Sequence, residues 1–241
     1  MKNSIFIFSI IALLALQSCE DIFNSNCEPV TGDVIEQEIA LAPFSKISVE
    51  IAANVFISKG ETQEVRIEAA ESIINEIETD VNNGEWDIEF DNCLKQRNNQ
   101  TVKIYITVPA LEAVGLSGSG DITLLDTFEG KEMAFRISGS GNITGKFIGE
   151  SLKCSVSGSG DIFLSGSTET QSINISGSGD IWSYNMPALE TNISISGSGM
   201  TKVYPSEKLD VSISGSGDIY YKGNPTISQS ISGSGRLVNE N

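Results

Sequence analysis

The C-terminal half of the chain repeats one short motif at a nearly constant spacing. Seven copies of Ser-Gly-Ser-Gly occur, and their first serines lie 18 to 21 residues apart. These serines are Ser117, Ser138, Ser157, Ser176, Ser196, Ser214 and Ser232. A fixed period of this length indicates a repeat architecture, in which each unit buries its apolar side only against its neighbours.

Within each repeat, apolar and polar residues alternate with a period of two. Counting the first serine as position 0, positions −3, −1 and +5 are apolar in nearly every copy, with Thr201 and Gln229 as exceptions. This alternation is typical of a half-buried strand. A unit of about 19 residues is too short for two strands and a helix, but it fits one coil of a parallel solenoid. The sequence therefore predicts an all-β solenoid with a continuous aliphatic inner stack.

A degenerate copy of the repeat and a segment of different character precede the regular copies. With Glu50 as position 0, the matching inner residues are Ile47, Val49, Val55 and Ile57. In the segment that follows, Asn82-Asn83-Gly84 predicts a hairpin turn before the strand that contains Trp86. We therefore expect a β-helix domain over residues 43–241, with an insertion at about 60–110 and regular coils over 111–241.

The first residues resemble a bacterial lipoprotein signal. Lys2 precedes an apolar run from Ile5 to Leu16, which is too short for a membrane span. The run ends in Leu16-Gln17-Ser18-Cys19, which is similar to a lipobox. The sequence predicts a signal peptide over residues 1–18, lipidation of Cys19 and a tether over residues 19–42. An ordinary secretory signal with a coincidental cysteine is the alternative.

The chain is strongly acidic. It has 32 Asp and Glu against 15 Lys and Arg, a net charge of −17. Loss of the first 18 residues removes one Lys and no acid, so the mature charge is −18. Such a surface repels nucleic acid and anionic lipid headgroups. We expect no nucleic-acid partner, and membrane attachment through the lipid rather than through a basic patch.

Three further cysteines follow Cys19. An exported chain meets an oxidising compartment, so a disulfide is permitted. Cys154 occupies inner position −3, which predicts a buried free thiol. Cys27 and Cys93 have polar neighbours and are the predicted disulfide pair.

Several segments together resemble a known family. They are Phe44-Ser45-Lys46-Ile47, Asn54-Val55, Ile104 to Pro109 and the repeated Ser-Gly-Ser-Gly-Asp-Ile. Over roughly residues 40–235 the chain is similar to the family described as putative auto-transporter adhesin, head GIN domain. The resemblance implies a right-handed, single-stranded parallel β-helix in exported, often lipid-anchored proteins of Gram-negative bacteria. It implies a cell-envelope location, with the outer membrane as the expected site, and it brings no catalytic residues.

Aromatic residues recur at two fixed positions, +6 and +8, in four consecutive repeats. They are Phe163, Trp182, Tyr184, Tyr204 and Tyr220. The alternation predicts that they point outward, where flat apolar rings could stack on sugar faces or contact a partner protein. A corner after position +5 would reverse this alternation and make them core or edge residues.

The polar positions of the repeat suggest two ligand classes, and neither fits well. Position +4 carries Asp in four copies, but Asn142, Met200 and Arg236 interrupt the column. Calcium-binding β-rolls instead keep their aspartates at a shorter period. The serine ladders lack the methyl groups of ice-binding threonine arrays. We therefore predict no metal or cofactor.

The sequence offers little support for catalysis. It contains no His, which excludes triads, acid–base steps and metal sites that depend on an imidazole. No glycine-rich phosphate loop is present, and no cluster of carboxylates and basic residues is evident in neighbouring repeats. We expect a non-catalytic protein that displays a rigid ladder to a glycan or protein partner. A polysaccharide-active enzyme on this scaffold and a purely architectural envelope protein are the alternatives, and the oligomeric state is left open.

Overall fold

The computed structural model describes residues 27–95 and 101–241, so Cys19 and the predicted signal peptide lie outside the described residues. The first part of the chain forms short strands and one turn of helix. These are β1 Glu28–Pro29, β2 Val34–Ile39, β3 Lys46–Val49, β4 Asn54–Lys59, β5 Glu64–Ala70, α1 Glu71–Ile74, β6 Val81–Asn82, β7 Glu85–Ile88, β8 Leu94–Lys95 and β9 Lys103–Val108. No helix within residues 27–95 and 101–241 is long and apolar enough to cross a bilayer.

The repeats form longer strands, most of which bend around a coil. These are β10 Ala113–Leu116, β11 Asp121–Leu124, β12 Phe128–Ile137, β13 Asn142–Val156, β14 Ile162–Ile175, β15 Ile181–Ile195, β16 Thr201–Gly215, β17 Asp218–Tyr221, β18 Thr226–Gly233 and β19 Arg236–Asn239. All pairings among them are parallel, and together with β2 to β7 and β9 they form one continuous sheet.

The predicted parallel β-solenoid is confirmed, with about seven turns of about 19 residues. Residues at position −1 of successive coils pair directly, as Val156 does with Ile175 and Ile175 with Ile195. All are buried except Ile231 in the last coil, which is 39% exposed. The largest buried side chains of the repeats, Phe128, Phe135 and Phe147, fill the interior of the first coils.

The Ser-Gly-Ser-Gly motif forms a corner at which successive coils approach closely. The first serine of each motif is held against the preceding coil, as where the Ser176 N–H donates to the Val156 carbonyl at 2.9 Å. At the second glycine, a Cβ on Gly141 would overlap the carbonyl oxygen of Gly120 in the coil below. The same overlap recurs at every later copy, so the motif needs glycine because backbone passes directly over backbone.

The degenerate copy is a full member of the ladder. Strand β3 pairs with β10 in the predicted register, with Ile47 opposite Val114 and Val49 opposite Leu116. On its other side, β3 pairs with β7 and β4 pairs with β9, also in parallel. Part of the segment expected to be an insertion thus forms one more coil, stacked before the degenerate copy.

The first coil is covered by antiparallel elements. The predicted hairpin joins β6 to β7 with Asn83 and Gly84 at positive φ (53° and 74°), as a type I′ turn requires. Strand β5 pairs antiparallel to β9, and β2 pairs antiparallel to β5. Residues 34–39, within the segment expected to be a tether, are therefore part of this cover.

A disulfide lies beside this cover. Cys27 and Cys93 are bonded, with their Cα atoms 4.6 Å apart, next to the pairing of β1 with β8. Cys154 is unpaired and completely buried, and burial raises the pKa of its thiol.

The bond closes a loop between residues 66 positions apart, so its removal should destabilise the domain. For Cys27→Ser/Cys93→Ser we expect a loss of about 2–5 kcal/mol in the free energy of unfolding, measured by urea denaturation. Non-reducing peptide mapping should recover Cys27 linked to Cys93, with the Cys154 thiol reactive only after unfolding. Cys154 found in a disulfide would contradict its inward placement.

Candidate functional site

One column of outward-facing side chains crosses the later coils, two residues after the position +4 column. The sheet register places Phe163 opposite Trp182, Trp182 opposite Lys202 and Lys202 opposite Tyr220. These residues all occupy position +6, so the parallel stacking of the coils brings them to one face. We call this surface the aromatic face and define it by Phe163, Trp182, Tyr184, Tyr204, Tyr220, Lys202 and Lys222.

The structure places the first rings of this face on the surface. Phe163, Trp182 and Tyr204 are 40%, 37% and 40% exposed. The rings of Phe163 and Trp182 stack with centroids 6.3 Å apart and an interplanar angle of 15°. Tyr184 and Tyr220 are half-buried. Phe163, Trp182 and Tyr204 are therefore not the core residues that a reversed alternation after position +5 would make them.

Tyr184 lies where the coil departs from the regular repeat. The register between β15 and β16 shifts between Trp182 and Pro187, so the chain bulges at this point. The Tyr184 hydroxyl donates to a carboxylate oxygen of Glu240 at 2.6 Å. Burial, followed by the bond to Glu240, raises the pKa of Tyr184. The hydroxyl end of the Tyr184 side chain is thus held by Glu240.

Two lysines lie among these rings, and the sequence interpretation missed both. The Lys202 ammonium is 4.9 Å from the ring centroid of Trp182, 5.3 Å from that of Tyr220 and 5.6 Å from that of Tyr184. The Lys222 ammonium is 4.7 Å from the Tyr184 centroid. Ring faces attract cations, so these contacts favour the positions of both ammonium groups. The sequence could have indicated them, because Lys202 and Lys222 occupy the same repeat positions, +6 and +8, as the rings.

The acidic column at position +4 has a structural role. Asp161 accepts a hydrogen bond from the backbone N–H of Asp180 at 2.8 Å, and Asp180 accepts one from Met200 at 2.7 Å. Asp121 and Asn142 continue the ladder in earlier coils. Each side chain therefore satisfies a backbone donor of the next coil. Burial also raises the pKa of Asp180.

Metal ligation finds no further support in the described part of the chain. Residues 27–95 and 101–241 contain no group of three or more His, Cys, Asp or Glu side chains that could hold a metal ion.

A second concave region lies on a different face, and the sequence interpretation did not foresee it. It is a cleft of about 690 Å³, which we call the charged cleft. Its charged residues are Lys46, Glu85, Glu112, Glu129, Lys131, Glu132, Arg136 and Lys153. The cleft exists because two outward positions are small: Ala113 pairs with Lys46 on one side and Ala134 on the other. Carboxylates and basic groups of neighbouring coils thus do meet on this surface.

The geometry defines the class of the protein: an all-β repeat solenoid with an exposed aromatic face. The chain belongs to the family described as putative auto-transporter adhesin, head GIN domain, whose model matches residues 43–225. The family resemblance expected from the sequence is confirmed. Adhesins act outside the cell or on its envelope, and the family assigns the chain to that setting.

Solved structures share the fold. A putative adhesin from Bacteroides fragilis is 24% identical, with a TM-score of 0.81 over 88% of this chain and 100% of that one. A putative lipid binding protein from Parabacteroides distasonis is 24% identical, with a TM-score of 0.75 over 90% and 100%. A putative adhesin from Parabacteroides merdae is 21% identical, with a TM-score of 0.73 over 90% and 100%. At these identities the likeness shows the fold alone. No curated protein matches the sequence.

Proposed function

We propose that this protein is a non-catalytic, lipid-anchored adhesin of the cell envelope that binds glycans through its aromatic face. The observation that carries the proposal is the stacked, exposed pair Phe163 and Trp182, continued by Tyr184, Tyr204 and Tyr220 in neighbouring coils. The exposed rings of Phe163, Trp182 and Tyr204 offer apolar surface against which sugar rings pack. Leaving such rings in water adds nothing to the stability of the fold, which favours a binding role.

The scaffold supports this role. The rings project from parallel strands whose inner residues are fully buried, so the spacing of the face is fixed before a ligand arrives. A ligand that binds a preorganised surface loses little additional protein entropy. A protein partner would use the same rings, and in that case no glycan would be retained on an array.

The charged cleft favours one other function, a polysaccharide-active enzyme. Enzymes that cleave polysaccharides use carboxylates and basic residues in a groove, and the cleft brings Glu85 and Glu112 near Lys46 and Arg136. The same screen tests both functions. The full chain, solubilised in a polyoxyethylene detergent without a sugar headgroup, is applied to a glycan array while soluble products are assayed. Retention without product supports the glycan-binding adhesin, and product release supports the enzyme. The absence of both retention and product favours a protein partner or an architectural protein.

The lipid anchor is a separate proposal, based on the sequence around Cys19. In a Gram-negative host, Cys19→Ala should abolish labelling by a fatty-acid analogue and release the protein from the outer membrane. Cys154→Ala is the matched control, because that thiol is buried in the domain and should leave labelling intact. Unchanged labelling of Cys19→Ala would refute the anchor.

A further inference from the structure

The two lysines of the aromatic face have unused hydrogen-bond donors. Among the described residues, neither the Lys202 nor the Lys222 ammonium lies within ion-pair distance of a carboxylate or donates a side-chain hydrogen bond. By contrast, the nearby Lys208 pairs with Asp210 at 2.6 Å, and Arg236 pairs with Asp218. An ammonium group has three donors, and an aromatic ring satisfies them only weakly at an exposed site.

The acidic groups around the face are already engaged. Glu240 accepts from Tyr184, and Asp218 is bound to Arg236 and to the Tyr220 hydroxyl. Asp161 and Asp180 accept from backbone N–H groups of the next coils. The two lysines are therefore cations without a carboxylate partner among the described residues, whereas the nearby carboxylates all accept hydrogen bonds from protein donors, although the chain as a whole carries −17.

We infer that the glycan bound by the aromatic face is anionic, and that Lys202 and Lys222 bind its uronate, sialate or sulfate groups. This inference rests on the proposed glycan-binding function and specifies its ligand class. The apolar side of a sugar ring packs against the exposed parts of Phe163 and Trp182, and its acidic group then meets the Lys202 ammonium, which lies 4.9 Å from the Trp182 centroid. Charge-assisted hydrogen bonds are stronger than neutral ones, so they decide between an acidic sugar and its neutral analogue.

The rest of the surface supports selectivity. A strongly acidic protein repels anionic polymers in general, so only a site with unpaired cations can retain one. Neutral glycans are not repelled by the acidic surface, and their binding free energy comes only from contact with the rings. We therefore expect acidic glycans to bind at least about tenfold more tightly than neutral ones of the same length.

The test uses the full chain in polyoxyethylene detergent on an array with four groups of glycans: neutral, uronate-containing, sialylated and sulfated. The variant Lys202→Gln/Lys222→Gln should lower the affinity for acidic glycans about tenfold and leave that for neutral glycans unchanged. Lys202→Arg/Lys222→Arg keeps both charges and should keep the preference. Lys131→Gln/Lys153→Gln is the matched control, since it removes the same charge from the charged cleft.

Each outcome has a distinct meaning. Equal binding of neutral and acidic glycans overturns the inference and leaves the proposed function intact. Loss of acidic binding in the control variant, or its persistence in Lys202→Gln/Lys222→Gln, removes the assignment to these two lysines. If no glycan of any group binds, the proposed function itself fails.

Discussion

Replacing Gly141 with Ala is expected to destabilise the solenoid by about 3 kcal/mol. The added Cβ would overlap the carbonyl oxygen of Gly120 and approach the Leu116 side chain at 2.9 Å. The first of these groups is backbone, which is fixed by the ladder and cannot rotate away. Neighbouring coils would have to separate at the corner, with loss of interstrand hydrogen bonds. Urea denaturation monitored by circular dichroism measures the change.

Gly130 supplies the control. It lies within β12 rather than at the corner, and the nearest atom to its added Cβ is a ring carbon of Phe147 at 3.9 Å, an ordinary contact. Gly130→Ala should therefore raise the free energy of unfolding by about 0.4–1 kcal/mol, because it reduces the entropy of the unfolded chain without a clash. If Gly141→Ala changed the free energy of unfolding in the same way as Gly130→Ala does, the corner would not be closely packed.

The second large effect is expected at Trp182, on binding rather than on stability. Trp182→Ala should weaken glycan binding about thirtyfold, since a central aromatic residue of a binding surface commonly contributes about 2 kcal/mol. Its ring is 37% exposed and touches Phe163 and Lys202 outside the core. The free energy of unfolding should therefore change by less than about 1 kcal/mol. Calorimetric titration and urea denaturation of the same preparation separate the two effects.

Trp86 provides the opposite case within the same chain. It is fully buried, lies 5.6 Å from the ring of Phe44, and its indole N–H donates to the Glu78 carbonyl at 2.9 Å. Trp86→Ala should cost about 3–5 kcal/mol of stability. If Trp182→Ala destabilised the protein as much as Trp86→Ala, Trp182 would be a core residue and the aromatic face would lose its basis.

Most of the fold could be predicted from the sequence because the same alternation of apolar and polar residues occurs in seven copies of the repeat. The alternation identified inner residues such as Val156 and Ile162, and the same rule placed the degenerate copy around Glu50. Each repeat contacts only its neighbours, so a local rule suffices for the whole ladder. The extra coil formed by β7 and β9 was not predicted, since it stacks out of sequence order and lacks the motif.

The site was only partly predictable. The outward alternation identified Phe163 and Trp182, because they directly follow a regular inner position. It could not describe Tyr184, where a bulge shifts the register. The charged cleft depends on two alanines beside longer neighbours, and its residues come from coils distant in sequence. Such a surface emerges only when the stacking order of the coils is known.

The most direct test of the central claim uses Trp182 as its own reporter. In a Trp86→Phe variant, Trp182 is the one remaining tryptophan of the chain. Titration with the glycan that binds most tightly on the array should shift its emission to shorter wavelength. It should also protect the ring from quenching by acrylamide, a neutral probe, with the same affinity that calorimetry gives. If the glycan binds with that affinity while emission and quenching of Trp182 stay unchanged, the aromatic face is not the binding site.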